Sequence, residues 1–160
     1  MTLAVSAAGF AQLELLAALH AAAFDDPWSA VALGELLIKP GNFALVAEET
    51  LARDRAAQAL GFIFARAGGG ECEILTLAVL PAMRRRKIAT ALLAAVFAEA
   101  VARGAAAIFL EVAADNHGAI ALYAQQGFAV VGRRAAYYQR ASGGCRDALV
   151  MRRPTSHATI

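Results

Sequence analysis

The sequence is poor in the features that mark secreted, metal-binding and membrane proteins, and each shortage argues against a class. It has only 2 cysteines in 160 residues. Cys72 and Cys145 lie far apart and belong to no Cys-x-x-Cys or Cys/His spacing. That argues against a disulfide framework or a zinc site and leaves two reduced structural thiols. The 3 histidines, His20, His117 and His157, have no partner at triad or metal spacing along the chain. Charge is scarce as well, at 18% of residues with a formal net charge of +2. No global field draws such a chain to nucleic acid or to a membrane, so any basic function must be local. Long apolar runs are missing: Ile88 to Ala102 is too short for a membrane span and carries Glu99. The first residues, Met1 to Phe10, lack a basic start followed by a continuous apolar run. They read as mature sequence, with the cytoplasm as the expected compartment.

What the chain does have is apolar mass. Hydrophobic residues make up 59% of it, much of that alanine. Disorder is thereby excluded, and a sizeable core can be built. The length predicts one compact domain, residues 1–153, with 154–160 as a loose tail.

The apolar rhythm alternates between helical and strand-like. Phe10, Leu13, Leu16, Leu19 and Phe24 recur at helical spacing, and Asp25-Asp26-Pro27 stops them. Ser29 reads as the cap of a second helix reaching Leu37, closed by Pro40-Gly41. Three strands are expected next, over Phe43–Val46, Ala59–Ala65 and Glu71–Leu80, the last becoming apolar throughout as if entering a sheet interior. Arg84–Arg103 is the strongest helix, with Ile88, Leu92, Ala95 and Glu99 on one face and Gly104 as its stop. The strand Ala106–Val112 follows, then a cap at Asp115-Asn116 and a helix over Gly118–Gln126. Two final strands, Phe128–Tyr138 and Cys145–Arg152, are joined across Ser142-Gly143-Gly144. A further strand near Leu3–Val5 is weakly indicated. The order predicts one mixed α/β domain.

Arg84-Arg85-Arg86-Lys87 sets four consecutive cations at the start of the third helix. A helix N-terminus already carries positive potential, so cations there are disfavoured by roughly 0.3–1 kcal/mol each. A bound anion would remove the conflict, because unpaired N–H groups and arginines together form a phosphate receptor. The run alone divides evenly between that reading and a solvated basic turn. A P-loop is excluded, since no Gly-Lys-Ser/Thr is present.

The pattern Arg84-x-x-Lys87-x-Ala89 resembles the acetyl-CoA signature of the GNAT N-acetyltransferases, and Ile74 to Val79 is similar to the strand that precedes it. The run Leu110-Glu111-Val112, Asn116, Leu122-Tyr123 and Gly127-Phe128 is similar to the RimI-type N-terminal alanine acetyltransferases. So are Arg134, Tyr137-Tyr138, Asp147-Ala148 and Met151. Lys87 stands where that family usually has glycine, Ala113 where it commonly has arginine, and Gln139 where it commonly has proline. The resemblance covers nearly the whole chain. It implies a GNAT fold, with a mostly antiparallel mixed sheet of six to seven strands and about four helices.

It also implies acetyl-CoA as cosubstrate, with no metal. The pantetheine arm would lie along Leu77, Ala78 and Val79, and the pyrophosphate on Arg84, Arg85, Arg86, Lys87, Ile88, Ala89 and Thr90, with Asn116 a further cofactor contact. The acceptor would be a peptide or protein N-terminus, the N-terminal alanine of a small-subunit ribosomal protein, met by Trp28, Tyr137 and Tyr138. A monomer or weak dimer is expected, with neither nucleic acid nor membrane as partner.

The chemistry asks for a base, because an α-amine with a pKa of about 7.7–8 is largely protonated at neutral pH. Glu111, a lone acid in an apolar strand, is the candidate, its carboxyl raised by desolvation. Tyr123 would protonate the departing thiolate. Each has a plainer reading: a glutamate paired with an arginine, and a core aromatic beside Ile120. Glu73 could assist through water or lie on the surface. Two alternatives stay open: a small-molecule amine as acceptor, and a coenzyme-A-binding module without turnover.

Overall fold

The computed structural model describes residues 2–51, 56–139 and 145–156, and side chains within them except those of 137–139 and 145. The element order is β1 (Thr2–Ala8), a 3-10 turn (Phe10–Gln12), α1 (Leu13–Ala23), α2 (Ala30–Ile38), β2 (Asn42–Thr50), β3 (Ala57–Gly68) and β4 (Glu71–Val79). A second 3-10 turn (Pro81–Met83) leads to α3 (Ile88–Ala102), β5 (Ala107–Ala113), α4 (His117–Gln125), β6 (Ala129–Gln139) and β7 (Cys145–Pro154). Among the described residues seven strands form one sheet, in the order β1-β2-β3-β4-β5-β7-β6. The registers of β1–β2, β2–β3, β5–β7 and β6–β7 are antiparallel, and β4–β5 is parallel.

Contacts gather the chain into two compact units, and β3, β4 and α3 contribute to both. The first takes residues 1–66 and 76–96. Its core is set by β2 and β3, where Phe43 to Ala47 and Leu60 to Ala65 are buried on both faces. Leu16 and Leu33 bury the inner sides of α1 and α2. Ser29 caps α2 as the sequence predicts, its Oγ accepting the Ala32 N–H at 3.1 Å. A Cβ on Gly61 would stand 2.6 Å from the Ala78 carbonyl oxygen, so only glycine lets β3 approach β4 there.

The second unit takes residues 67–75 and 97–160. Its β4–β5 ladder runs from Glu71↔Ala107 to Ile74↔Leu110, and β5 pairs on through Ala113↔Ala148 with β7. Asn116 caps α4, accepting the Ala119 N–H at 3.2 Å, and Gly127 ends it at φ 89°. Cys72 is buried and reduced, its thiol pushed up to about 11 by burial.

Several boundaries differ from the sequence expectation. The strand near Leu3–Val5 is a full strand, because Thr2 to Ala8 finds β2 as partner from Thr50 to Ala44. The helix expected from Phe10 starts at Leu13 behind a 3-10 turn. The helix expected from Arg84 starts at Ile88, and its buried side is Ile88, Leu92, Val96 and Ala100 rather than a face through Ala95 and Glu99. The end of β4 is not buried throughout: Cys72, Ile74, Thr76 and Ala78 are buried, while Leu75, Leu77 and Val79 alternate half-buried between them. Pro154, assigned to the tail, is the last residue of β7 and pairs with Ala107, and Thr155 bonds back to Ala105 and Ala106. The turn Ser142-Gly143-Gly144, His157 and residues 158–160 lie outside the described residues.

Candidate active site

The expected cofactor residues Leu77 to Thr90 all fall in the first unit. Leu77 and Val79 present half-buried apolar side chains at the end of β4, and Ala78 is fully buried between them. The chain then makes a 3-10 turn at Pro81–Met83 and reaches Arg84 at φ −64° and ψ 155°. Arg85 and Lys87 follow in the left-handed region, at φ 63° and 60°, with Arg86 between them at negative φ. Turns of alternating hand bring consecutive N–H groups round to one side and make anion-binding concavities.

Helix geometry extends that set of donors. The first bond of α3 runs from the Ala91 N–H to the Lys87 carbonyl at 3.0 Å. The N–H groups of Ile88, Ala89 and Thr90 precede it and have no acceptor within the helix. The positive end of the helix and the exposed side chains of Arg84, Arg85 and Lys87 add their charge. Donors and charge of this kind fit a phosphate. Lys87 thus holds glycine's backbone conformation without being glycine. Left-handed backbone costs a residue with a Cβ about 1–2 kcal/mol, so the turn is strained at two positions.

Arg86 has other work. Its Nη2 donates to Glu49 Oε1 at 3.0 Å and its Nη1 to Met83 Sδ at 3.0 Å. Glu49 is buried on β2, so the pair ties the strained turn to the sheet. Sequence reasoning placed Arg86 among the cofactor residues and missed Glu49 altogether, because a glutamate in the polar stretch after Val46 carries no signal of burial.

Glu111, Asn116 and Tyr123 fall in the second unit. Glu111, on β5 opposite Val150, has a side chain 17% exposed and accepts Arg134 Nε at 3.0 Å. The carboxylate thus has the arginine partner that the plainer reading of the sequence gave it. Its partner was quoted in the motif but given no role. Tyr123 is buried in α4 and meets the Phe128 ring edge-on at 5.9 Å. Tyr137 and Tyr138 lie on β6, and their side chains fall outside the described residues. Just before them Ala136 sits at φ 52°, within the register shift between Arg134 and Tyr138. Asp147 holds that shift, accepting the Ala136 N–H at 2.8 Å and Arg133 Nε at 2.6 Å, and these bonds keep its carboxyl below the usual range.

His20 has partners of another kind than the triad or metal spacings considered from the sequence. It is buried in α1, accepts the Trp28 backbone N–H at Nδ1 (3.0 Å) and meets Thr76 Oγ1 at Nε2 (3.2 Å). No sequence spacing links residues 20, 28 and 76. Trp28 stacks on its ring. Glu73 is half-buried on β4, in register with Phe109.

Among the described residues no group of three His, Cys, Asp or Glu could hold a metal ion, and no helix is long and apolar enough to cross a membrane.

Comparison with known proteins adds a family. The model of the acetyltransferase (GNAT) family matches residues 12–128. The N-alpha-acetyltransferase RimI of Mycobacterium tuberculosis is 39% identical over 131 residues, 81% of this chain and 77% of that protein. An uncharacterized Mycobacterium leprae protein is also 39% identical over 131 residues, but the chain spans only 34% of its length. The crystal structure of the ribosomal-protein-S18-alanine N-acetyltransferase from Escherichia coli superposes with a TM-score of 0.85 at 26% identity, covering 99% of this chain and 97% of that one.

The strain at Lys87 is directly measurable. Lys87→Ala removes the charge and keeps the strain, whereas Lys87→Gly removes both. In urea unfolding Lys87→Gly should be more stable than Lys87→Ala by about 1 kcal/mol. An alanine variant at least as stable as the glycine one would contradict the left-handed conformation.

Proposed function

The chain belongs to the acetyltransferase (GNAT) family, and we propose that it carries acetyl from acetyl-CoA to the N-terminal amine of a protein. The acceptor we infer is the N-terminal alanine of a small-subunit ribosomal protein. The observation that carries the cofactor half is the turn from Arg84 to Thr90, where alternating φ, the free end of α3 and three exposed cations converge. Arg84, Arg85, Lys87 and the amides of Ile88 to Thr90 would hold the pyrophosphate. Among the described pairs the parallel ladder uses only Glu71 to Ile74 of β4, leaving Leu77 to Val79 for the pantetheine arm. Asn116 would contact the cofactor while continuing to cap α4.

The acceptor half is supported by the relatives, whose names refer to N-alpha and S18-alanine acetylation. Trp28, Tyr137 and Tyr138 are the side chains proposed to meet the peptide. At pH 7 about a tenth of an α-amine is unprotonated, so the reaction needs a proton acceptor beside it. Glu111 takes that proton, directly or through one water, as the nitrogen attacks the thioester carbonyl. Arg134, whose Nε donates to the carboxylate at 3.0 Å, fixes its orientation. The tetrahedral intermediate collapses with loss of the carbon–sulfur bond, and Tyr123 gives its proton to the leaving thiolate. Transfer is direct, without an acetylated enzyme, and the proposed compartment is the cytoplasm.

Glu111→Gln tests the base. It should lower kcat by about 10²–10⁴-fold and leave acetyl-CoA binding by calorimetry unchanged. Equal activity of variant and wild type across pH 6–9 would remove Glu111 from the role. A second reading, a small-molecule amine as acceptor, is separated by assaying an Ala-initiated ribosomal peptide beside polyamines and aminoglycosides. Turnover of a small amine with none of the peptide would replace the proposed acceptor.

A further inference from the structure

We propose that His20 is a positioning residue that holds the Trp28 loop to β4 in its neutral form, and that protonation of the ring loosens acceptor binding. The binding part rests on the reading that Trp28 meets the acceptor; the tie itself does not. His20, Trp28 and Thr76 all lie in the first unit.

The bonding fixes the tautomer. Nδ1 faces the Trp28 backbone N–H at 3.0 Å and must accept, so the ring proton sits on Nε2 and is donated to Thr76 Oγ1 at 3.2 Å. One ring thereby joins α1, the loop before α2 and the strand position immediately ahead of Leu77. Phe24 stacks on the ring at 4.3 Å and 25°, Trp28 at 5.0 Å and 16°, and Phe62 tilts against it at 6.2 Å. The ring is only 3% exposed.

A proton on Nδ1 would set two N–H donors against each other and leave the Trp28 amide without an acceptor. Stacked aromatic rings favour a cation, but desolvation opposes it and prevails, holding the imidazole below its usual 6.5. The groups facing it are Phe24 at the end of α1, Trp28 of the loop, Phe62 of β3 and Thr76 of β4, none of them charged. Of the charged residues on these and the adjoining segments, Glu14, Asp25, Asp26, Glu35 and Arg66 are exposed, and the half-buried Glu73 lies on the opposite face of β4 from Thr76. Because the folded value is depressed, the stability contributed by neutral His20 is complete above pH 6.5. It is lost as pH falls from there towards the folded value.

The test uses an N-acetylated Ala-initiated peptide, the reaction product, because it has no amine to titrate. From pH 7.5 down to the pH at which nitrogen-15 NMR finds the His20 ring protonated, its affinity for the full chain should fall five- to tenfold, the worth of about one hydrogen bond. His20→Asn keeps an acceptor near the Nδ1 position and cannot take the proton, so its affinity should stay flat. His20→Leu should be weak at both pH values. In parallel, nitrogen-15 NMR should find the Nε2–H tautomer at pH 7.5 and the Trp28 amide shifting in step with the His20 titration. A flat wild-type affinity, or the same fall in His20→Asn, would overturn the effect on binding. A Trp28 amide that ignores the titration would overturn the tie. Should wild type bind no such peptide at pH 7.5, the acceptor assignment and the binding effect fail together, and the Trp28 amide alone decides the tie.

Discussion

The constraint on which the candidate cofactor site depends is that the first turn of α3 has backbone donors with no acceptor of their own. A helix leaves such groups by geometry, and burial or a ligand must answer them. Here the preceding turn adds to the demand. Arg85 and Lys87 both take left-handed backbone, which neither side chain favours, and cations surround the positive end of the helix. Strain and like charge at one place are costly without a compensating partner. The compensation within the chain is the Arg86–Glu49 pair, which fastens the turn to β2 through a buried carboxylate. Taking away the arginine would leave that carboxylate buried and uncompensated, at a cost of about 1–3 kcal/mol. The remaining compensation is an anion, which the pyrophosphate of acetyl-CoA supplies in the proposed function.

The second unit carries ionic pairs that link β5, β6, β7 and the turn after β5. Glu111 meets Arg134, Asp147 meets Arg133 and the Ala136 amide, and Asp115 meets Arg146. An exposed pair such as Asp115–Arg146 contributes little stability. Asp147 also acts on geometry, since its bonds to the Ala136 amide and Arg133 hold β6 at its register shift just before Tyr137 and Tyr138. The proposed base and the proposed acceptor-binding tyrosines are thus governed by neighbouring arginines on one strand.

Much of the fold was legible because its elements obey simple periodicities and stops. Ser29 and Asn116 cap as their residue types require, and Gly104 and Gly127 end helices at positive φ. Family membership was legible from a composite of short runs, each weak alone. Other features depend on tertiary contact and left no local trace. The helix start moved from Arg84 to Ile88 because Arg85 and Lys87 take left-handed backbone, which a right-handed helix does not include. The half-open face of Leu77 and Val79 was misread as buried, since an apolar strand end looks the same whether its neighbour is protein or a ligand. His20, Glu49 and Arg134 gained partners 56, 37 and 23 residues away in sequence, beyond any spacing rule.

The most direct measurement follows the backbone amides by nitrogen-15 NMR while the chain is titrated with coenzyme A and, separately, with pantetheine. Coenzyme A carries the pyrophosphate and pantetheine does not. The account predicts that both ligands move the amides of Leu77 to Val79, and that only coenzyme A moves those from Arg85 to Thr90. Equal responses from Arg85 to Thr90 with the two ligands, or none with coenzyme A, would contradict it.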